Sequence, residues 1–113
     1  MKYVLLIYGD ERVWSALTGD EMDKIYAAHR AYGEAMTKAG VMRGGSELKP
    51  VATATSVRFS RGRSRTVDGP FAETKEQLAG YYVIEVADLD QAIGWAQKMP
   101  GMIDGTVEIR PLA

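Results

Sequence analysis

Tyr3-Val4-Leu5-Leu6-Ile7-Tyr8 is the stretch that decides how this chain folds. It is apolar on both alternations: Tyr3, Leu5 and Ile7 on one side, Val4, Leu6 and Tyr8 on the other. A strand that reads this way is covered on both faces. It is far shorter than the roughly 20 apolar residues a membrane helix needs. It runs directly into polar Gly9-Asp10-Glu11-Arg12 with no small-residue cleavage site, so it is a strand and not a signal peptide. Gly9 to Ala16 reads as a polar loop with Trp14 inside it.

Outward from that strand, Thr18-Gly19-Asp20-Glu21 has the form of a capping box, which predicts a helix from about Gly19 to Ala39. Met22, Ile25, Tyr26, His29, Tyr32, Gly33 and Met36 fall on one stripe at helical spacing, with Asp20, Lys24, Arg30, Glu34 and Lys38 away from it. Gly40 stands where a left-handed helix stop belongs. Strands follow at Val41–Glu47, where Gly44-Gly45 permits a bulge, and at Ala52–Phe59. Arg61-Gly62-Arg63 is a hairpin tip, and Ser64–Val67 returns. Asp68-Gly69-Pro70 forces a turn. Phe71–Leu78 is polar, a structured loop or a short helix. Tyr81–Val86 is a strong strand. Asp88 with Gln91 caps a second helix whose inner face is Leu89, Ala92, Ile93, Ala96 and Met99. Thr106–Arg110 is the last strand.

The order β-α-β-β-(β)-β-α-β contains the split βαβ pattern of ferredoxin-like folds. The expectation is a single α+β domain over residues 1–113, with two helices on one face of a mainly antiparallel sheet. Helices on one side leave the other face bare, yet the first strand is apolar there too. Either a second copy packs sheet against sheet, giving a homodimer, or the loops around Trp14 and residues 69–78 cover the face. Arg110, Glu108 and Glu85 share a face on this reading, as ion pairs or as the floor of a cavity.

Bulk properties narrow the function. The chain has 113 residues, net charge −1 and no cysteine. That excludes disulfides, thiolate metal sites and a cysteine nucleophile. A single histidine argues against a zinc site, so no metal is expected. No phosphate-binding glycine loop joins a strand to a helix, so no organic cofactor is expected. The balanced charge argues against nucleic-acid binding, and nothing predicts a membrane partner. Arg58, Arg61, Arg63 and Arg65 form a small basic cluster, which reads as phosphate contacts or, lacking interleaved aromatic platforms, as a solvated hairpin. A cytoplasmic location is compatible with this composition.

Two features carry chemistry. His29 is the one histidine and lies on the apolar helix stripe, as an acid/base group or as a structural imidazole bonded to backbone. Asp68 is held on a rigid Gly-Pro turn, as a site carboxylate or as a cap on its own turn. The candidate catalytic pair is His29 and Asp68. The candidate ligand contacts are Tyr32, Phe71, Glu73 and Lys75, with Lys75 holding an anionic substrate and Glu73 an alternative partner for His29.

Asp68-Gly69-Pro70-Phe71-Ala72-Glu73-Thr74-Lys75-Glu76 resembles the DGPF-domain branch of the YCII-related family. So do the opening residues Met1 to Tyr8, Gly80-Tyr81-Tyr82, Asp88-Leu89-Asp90 and the closing Val107 to Leu112, so the resemblance covers nearly the whole chain. It implies a ferredoxin-like dimeric α/β barrel. It does not imply one activity: the wider family has members with a proposed His–Asp site, a few resembling small-molecule lyases or dehydrochlorinases. The DGPF branch has no assigned function and is associated with extracytoplasmic-function sigma factors, which implies a transcription-associated protein as an alternative partner. His29 matches the family histidine. The family aspartate near the end of that helix is unmatched, since Lys38, Ala39 and Gly40 stand there. The expected function is a small-molecule site doing elimination or isomerisation with His29; the alternative is a non-catalytic ligand- or protein-binding module.

Overall fold

A computed structural model describes all of residues 1–113. Strand β1 (Lys2–Gly9) is followed by a short helix α1 (Glu11–Ser15), the long helix α2 (Gly19–Lys38) and strand β2 (Met42–Glu47). A 3-10 turn at Val51–Thr53 leads to β3 (Thr55–Ser60) and β4 (Arg63–Asp68), and then come β5 (Gln77–Glu85), α3 (Leu89–Gln97) and β6 (Thr106–Pro111).

β1 sits inside a four-stranded sheet of order β2-β5-β1-β6, and every pair in it is antiparallel. The two βαβ units, β1-α2-β2 and β5-α3-β6, interleave, which is the split arrangement expected from the element order. The parity of β1 sets the layers. Tyr3, Leu5 and Ile7 are buried with Tyr32 and Met36 of α2, Ala92 of α3, and Ile84 and Met99. Both helices therefore cover one face.

The capping box forms as expected. Thr18 Oγ1 accepts from the Glu21 amide at 3.1 Å, and the Glu21 carboxylate accepts from the Thr18 amide at 3.1 Å. Asp88 caps α3 by accepting from the Gln91 amide at 3.0 Å. The expected bulge appears as a register shift between Met42 and Gly44.

Three local expectations need correction. The Gly9–Ala16 loop contains α1, capped by Asp10, whose side chain accepts from the Arg12 amide. A strand from Ala52 is wrong at its start, because Val51–Thr53 closes a 3-10 turn through Thr53 N–H to the Pro50 carbonyl. The strand expected from Tyr81 begins at Gln77, where pairing with Gly9 already starts.

The opposite sheet face carries Val4, Leu6, Tyr8, Tyr81 and Val83, flanked by Glu85, Glu108 and Arg110. The charges on it are paired: Arg110 with Glu108 at 2.8 Å, and Glu85 with Arg43 of β2 at 3.0 Å. The sheet is open in one chain, not a closed barrel. The thinnest dimension of the molecule is 18 Å, which is room for one sheet and one helix layer when helices are about 10 Å across. The loops therefore do not supply a third layer over that face. The β3–β4 hairpin forms its own two-stranded sheet and leaves Val57 and Phe59 at 55% and 74% exposure. No helix is long and apolar enough to cross a membrane.

Candidate functional site

The apolar stripe of α2 is used in two ways. Its C-terminal half packs: Tyr32 and Met36 are buried. Its N-terminal half stands off the sheet, and Met22, Ile25, Tyr26 and His29 line a cavity of about 910 Å³ instead. The opposite wall is Ile7 of β1, Glu47 of β2, and Gly80 and Tyr82 of β5. Trp14 of α1 and the Pro100-Gly101-Met102 loop complete it. A cavity of this size, mainly apolar with a few polar groups, is a common form for a small-molecule site.

His29 is half-buried in this wall. Its Nδ1 lies 2.7 Å from the Tyr82 hydroxyl, and the two rings stack with centroids 6.0 Å apart. Burial pushes the imidazole below its ordinary value; the Glu47 charge and a hydrogen bond to the Pro100 backbone oppose that without reversing it. Burial likewise raises the Tyr82 phenol. A second polar pair lies nearby, where the Tyr26 hydroxyl donates to Glu47 Oε1 at 3.0 Å. Trp14 Nε1 donates to the Gly101 carbonyl at 3.2 Å, fixing the loop against α1.

Of the six candidate catalytic and ligand-contact residues named from the sequence, His29 alone lines this cavity. Tyr32 lies behind the wall: it is buried, donates to the Trp95 carbonyl at 2.6 Å and meets Tyr82 edge-on. Asp68 ends β4, where it pairs with Thr55 at the root of the hairpin, and is exposed. Phe71 is 74% exposed, and its carbonyl accepts from Arg58. Glu73 and Lys75 are exposed in the strap that follows; the Asp10 carboxyl is held low chiefly by its hydrogen bonds from Arg12, and Lys75 adds a smaller pull. Within one chain His29 and Asp68 do not share a pocket. Asp68 belongs to the separate β3–β4 sheet and is not among the residues lining the cavity. The same strap anchors the cavity rim: Gln77 accepts from the Glu11 amide at 2.9 Å, and Glu11 accepts from the Val51 amide at 2.9 Å.

The sequence reading missed Tyr82, Tyr26, Glu47 and Trp14. The signal for Tyr82 was present. It shares strand parity with Ile84, so it projects toward the helices, where a buried phenol needs a hydrogen-bond partner.

The sequence profile of the YCII-related domain matches residues 1–113. The chain belongs to the YCII-related family. It is also similar to an uncharacterized protein of Rhizobium meliloti (strain 1021), with 38% identity over 115 residues, covering 100% of this chain and 93% of the relative. Neither match names an activity, so the function of this YCII-related chain rests on its cavity.

Proposed function

We propose that this protein binds a small molecule in the His29 cavity and performs acid/base chemistry on it, an elimination or an isomerisation. One observation carries the reading: the only histidine sits on the wall of a large apolar cavity with its ring oriented by Tyr82. A tightly packed His29 would have favoured an interaction module instead. A neutral imidazole is ready to take up a proton.

The test uses His29 as its own reporter, since one histidine gives one unambiguous imidazole signal. A panel of ring-bearing carbonyl and hydroxyl compounds is screened by NMR. The expected result is that compounds which bind shift the His29 resonance, and that His29→Asn weakens their binding. Binding that leaves the imidazole untouched would sink the proposal.

The sign of the pH effect follows from burial. The folded imidazole titrates below the ordinary 6.5. Above that pH His29 costs nothing; as pH falls from there toward the folded pKa, the unfolded chain protonates first and stability declines. His29→Asn removes this part of the acid destabilisation. Denaturation midpoints measured between about pH 7 and 5 check it.

We also infer a homodimer, closed into a dimeric α/β barrel by two sheets meeting face to face. The support is the uncovered apolar patch of Val4, Leu6, Tyr8, Tyr81 and Val83, which a second copy matches by symmetry. Light scattering at micromolar concentration is expected to give twice the 12.4 kDa chain mass. A clean monomer contradicts the pairing.

A further inference from the structure

Nδ1 of His29 is engaged by the protein, since the Tyr82 hydroxyl lies 2.7 Å from it. Nε2 faces the Pro100-Gly101 turn, where a Cβ on Gly101 would stand 3.7 Å from it. In the tautomer with the proton on Nε2, Nδ1 is bare and the Tyr82 hydroxyl donates to it. The Tyr82 oxygen, having donated, keeps acceptor capacity, and Tyr82 is a wall residue of the cavity.

We propose that Tyr82 is the catalytic residue that touches the ligand, with His29 as the positioning base behind it, and that the ligand is a neutral, largely apolar ring compound bearing a hydroxyl or an enolisable carbonyl. This rests on the cavity being a small-molecule site. The walls argue for the ligand class. Ile7, Trp14, Met22, Ile25 and Met102 offer carbon surface, and the charged lining residues balance, Arg12 and Arg30 against Glu11 and Glu47; Arg12 is also paired with Asp10 at 2.7 Å.

The step balances. The O–H or acidic C–H bond of the ligand breaks, and its proton forms a new bond to the Tyr82 oxygen. The original Tyr82 O–H bond breaks as that proton moves to His29 Nδ1. The products are a ligand anion, a neutral tyrosine and an imidazolium. The imidazolium holds Tyr82 through Nδ1–H; burial disfavours the charged ring, and the Glu47 charge partly offsets that. Returning the proton at another carbon completes an isomerisation; expelling a leaving group completes an elimination. The titratable and charged groups around His29 are Tyr82 on β5, Glu47 on β2, and Tyr26, Arg30 and Tyr32 on α2.

Two measurements test the assignment. Nitrogen-15 shifts of the wild-type imidazole at pH 7 are expected to show Nδ1 unprotonated and Nε2 protonated; the opposite tautomer overturns the proposal with no variant needed. Wild type and Tyr82→Phe are then titrated with p-cresol and toluene, following the His29 signal. Wild type is expected to prefer p-cresol about tenfold, the scale of one hydrogen bond. Tyr82→Phe is expected to erase that preference, leave toluene binding unchanged and shift the Nδ1 signal. A preference that survives Tyr82→Phe overturns the proposal. So does toluene binding in wild type with no preference for p-cresol, which leaves the cavity reading intact. If neither probe binds, both readings fall.

Discussion

Leu5→Ala is expected to destabilise the protein by about 3–4 kcal/mol, within the span measured when a fully buried leucine is truncated and the surroundings close only partly. Leu5 is 0% exposed and lies opposite Tyr82 on β5 and Ile109 on β6. Met36 of α2 and Ile84 of β5, both also 0% exposed, complete the same cluster. A hole at the middle of the central strand therefore removes contacts from two neighbouring strands and a helix at once. Urea denaturation at fixed protein concentration checks it, because association adds a concentration-dependent contribution. The midpoint is expected to fall with little change in slope. A loss under about 1 kcal/mol would mean that the sheet and α2 close over the gap, which the dense packing of protein interiors argues against.

Much of the fold is legible from short-range pattern, and particular residues show why. The two-sided apolar reading of Tyr3–Tyr8 marks β1 as a strand with two apolar faces: Tyr3, Leu5 and Ile7 are buried under the helices, and Val4, Leu6 and Tyr8 lie on the opposite face. Thr18 and Glu21 mark the start of α2 because capping is a contact between residues three apart. Helix α1 escaped notice because Glu11–Ser15 spans little more than one turn, too short for any helical period to show. The 3-10 turn at Val51–Thr53 escaped because β-branched Val51 and Thr53 around Ala52 read as extended.

The candidate site was half legible, for a different reason. His29 stands out as the one titratable group on an apolar stripe. Its partner is a matter of tertiary register. The Gly-Pro turn at residues 69–70 makes Asp68 conspicuous, but conspicuous rigidity says nothing about direction, and β3 and β4 form a sheet of their own. Tyr82 is 53 positions from His29 in sequence. Strand parity with Ile84 turns Tyr82 toward the helix layer, but only the tertiary packing brings its phenol to His29, 2.7 Å away. The standing-off of the N-terminal half of α2 is likewise invisible in its sequence, because Met22 and Ile25 are as apolar as the core residues two turns on.

Gly9→Ala is the substitution expected to couple the fold to the cavity most directly. Gly9 ends β1, and the Trp14 indole lies flat against its backbone. A Cβ there would come within 2.3 Å of Trp14 Cη2 and 2.8 Å of two further ring carbons. The ring has to move, and it is held at its far side, where Nε1 donates to the Gly101 carbonyl at 3.2 Å. Overpacking of this kind costs about 1–3 kcal/mol. The consequence for the site follows from the same bond. Gly101 has φ +74°, a conformation set by the turn, and it packs beside His29, whose Nε2 would lie 3.7 Å from a Cβ there. Displacing Trp14 releases that turn, so the His29 resonance is expected to shift and the p-cresol preference to weaken even though Gly9 touches neither residue. Gly94→Ala provides the control: it lies within α3, a Cβ there meets nothing within 4 Å, and it is expected to leave the imidazole signal unmoved while raising stability by about 0.5–1 kcal/mol through helix propensity. A Gly9→Ala protein as stable as wild type, with the imidazole signal unmoved, would show that Trp14 can swing aside freely. The tether from Trp14 through Gly101 to His29 would then carry no force.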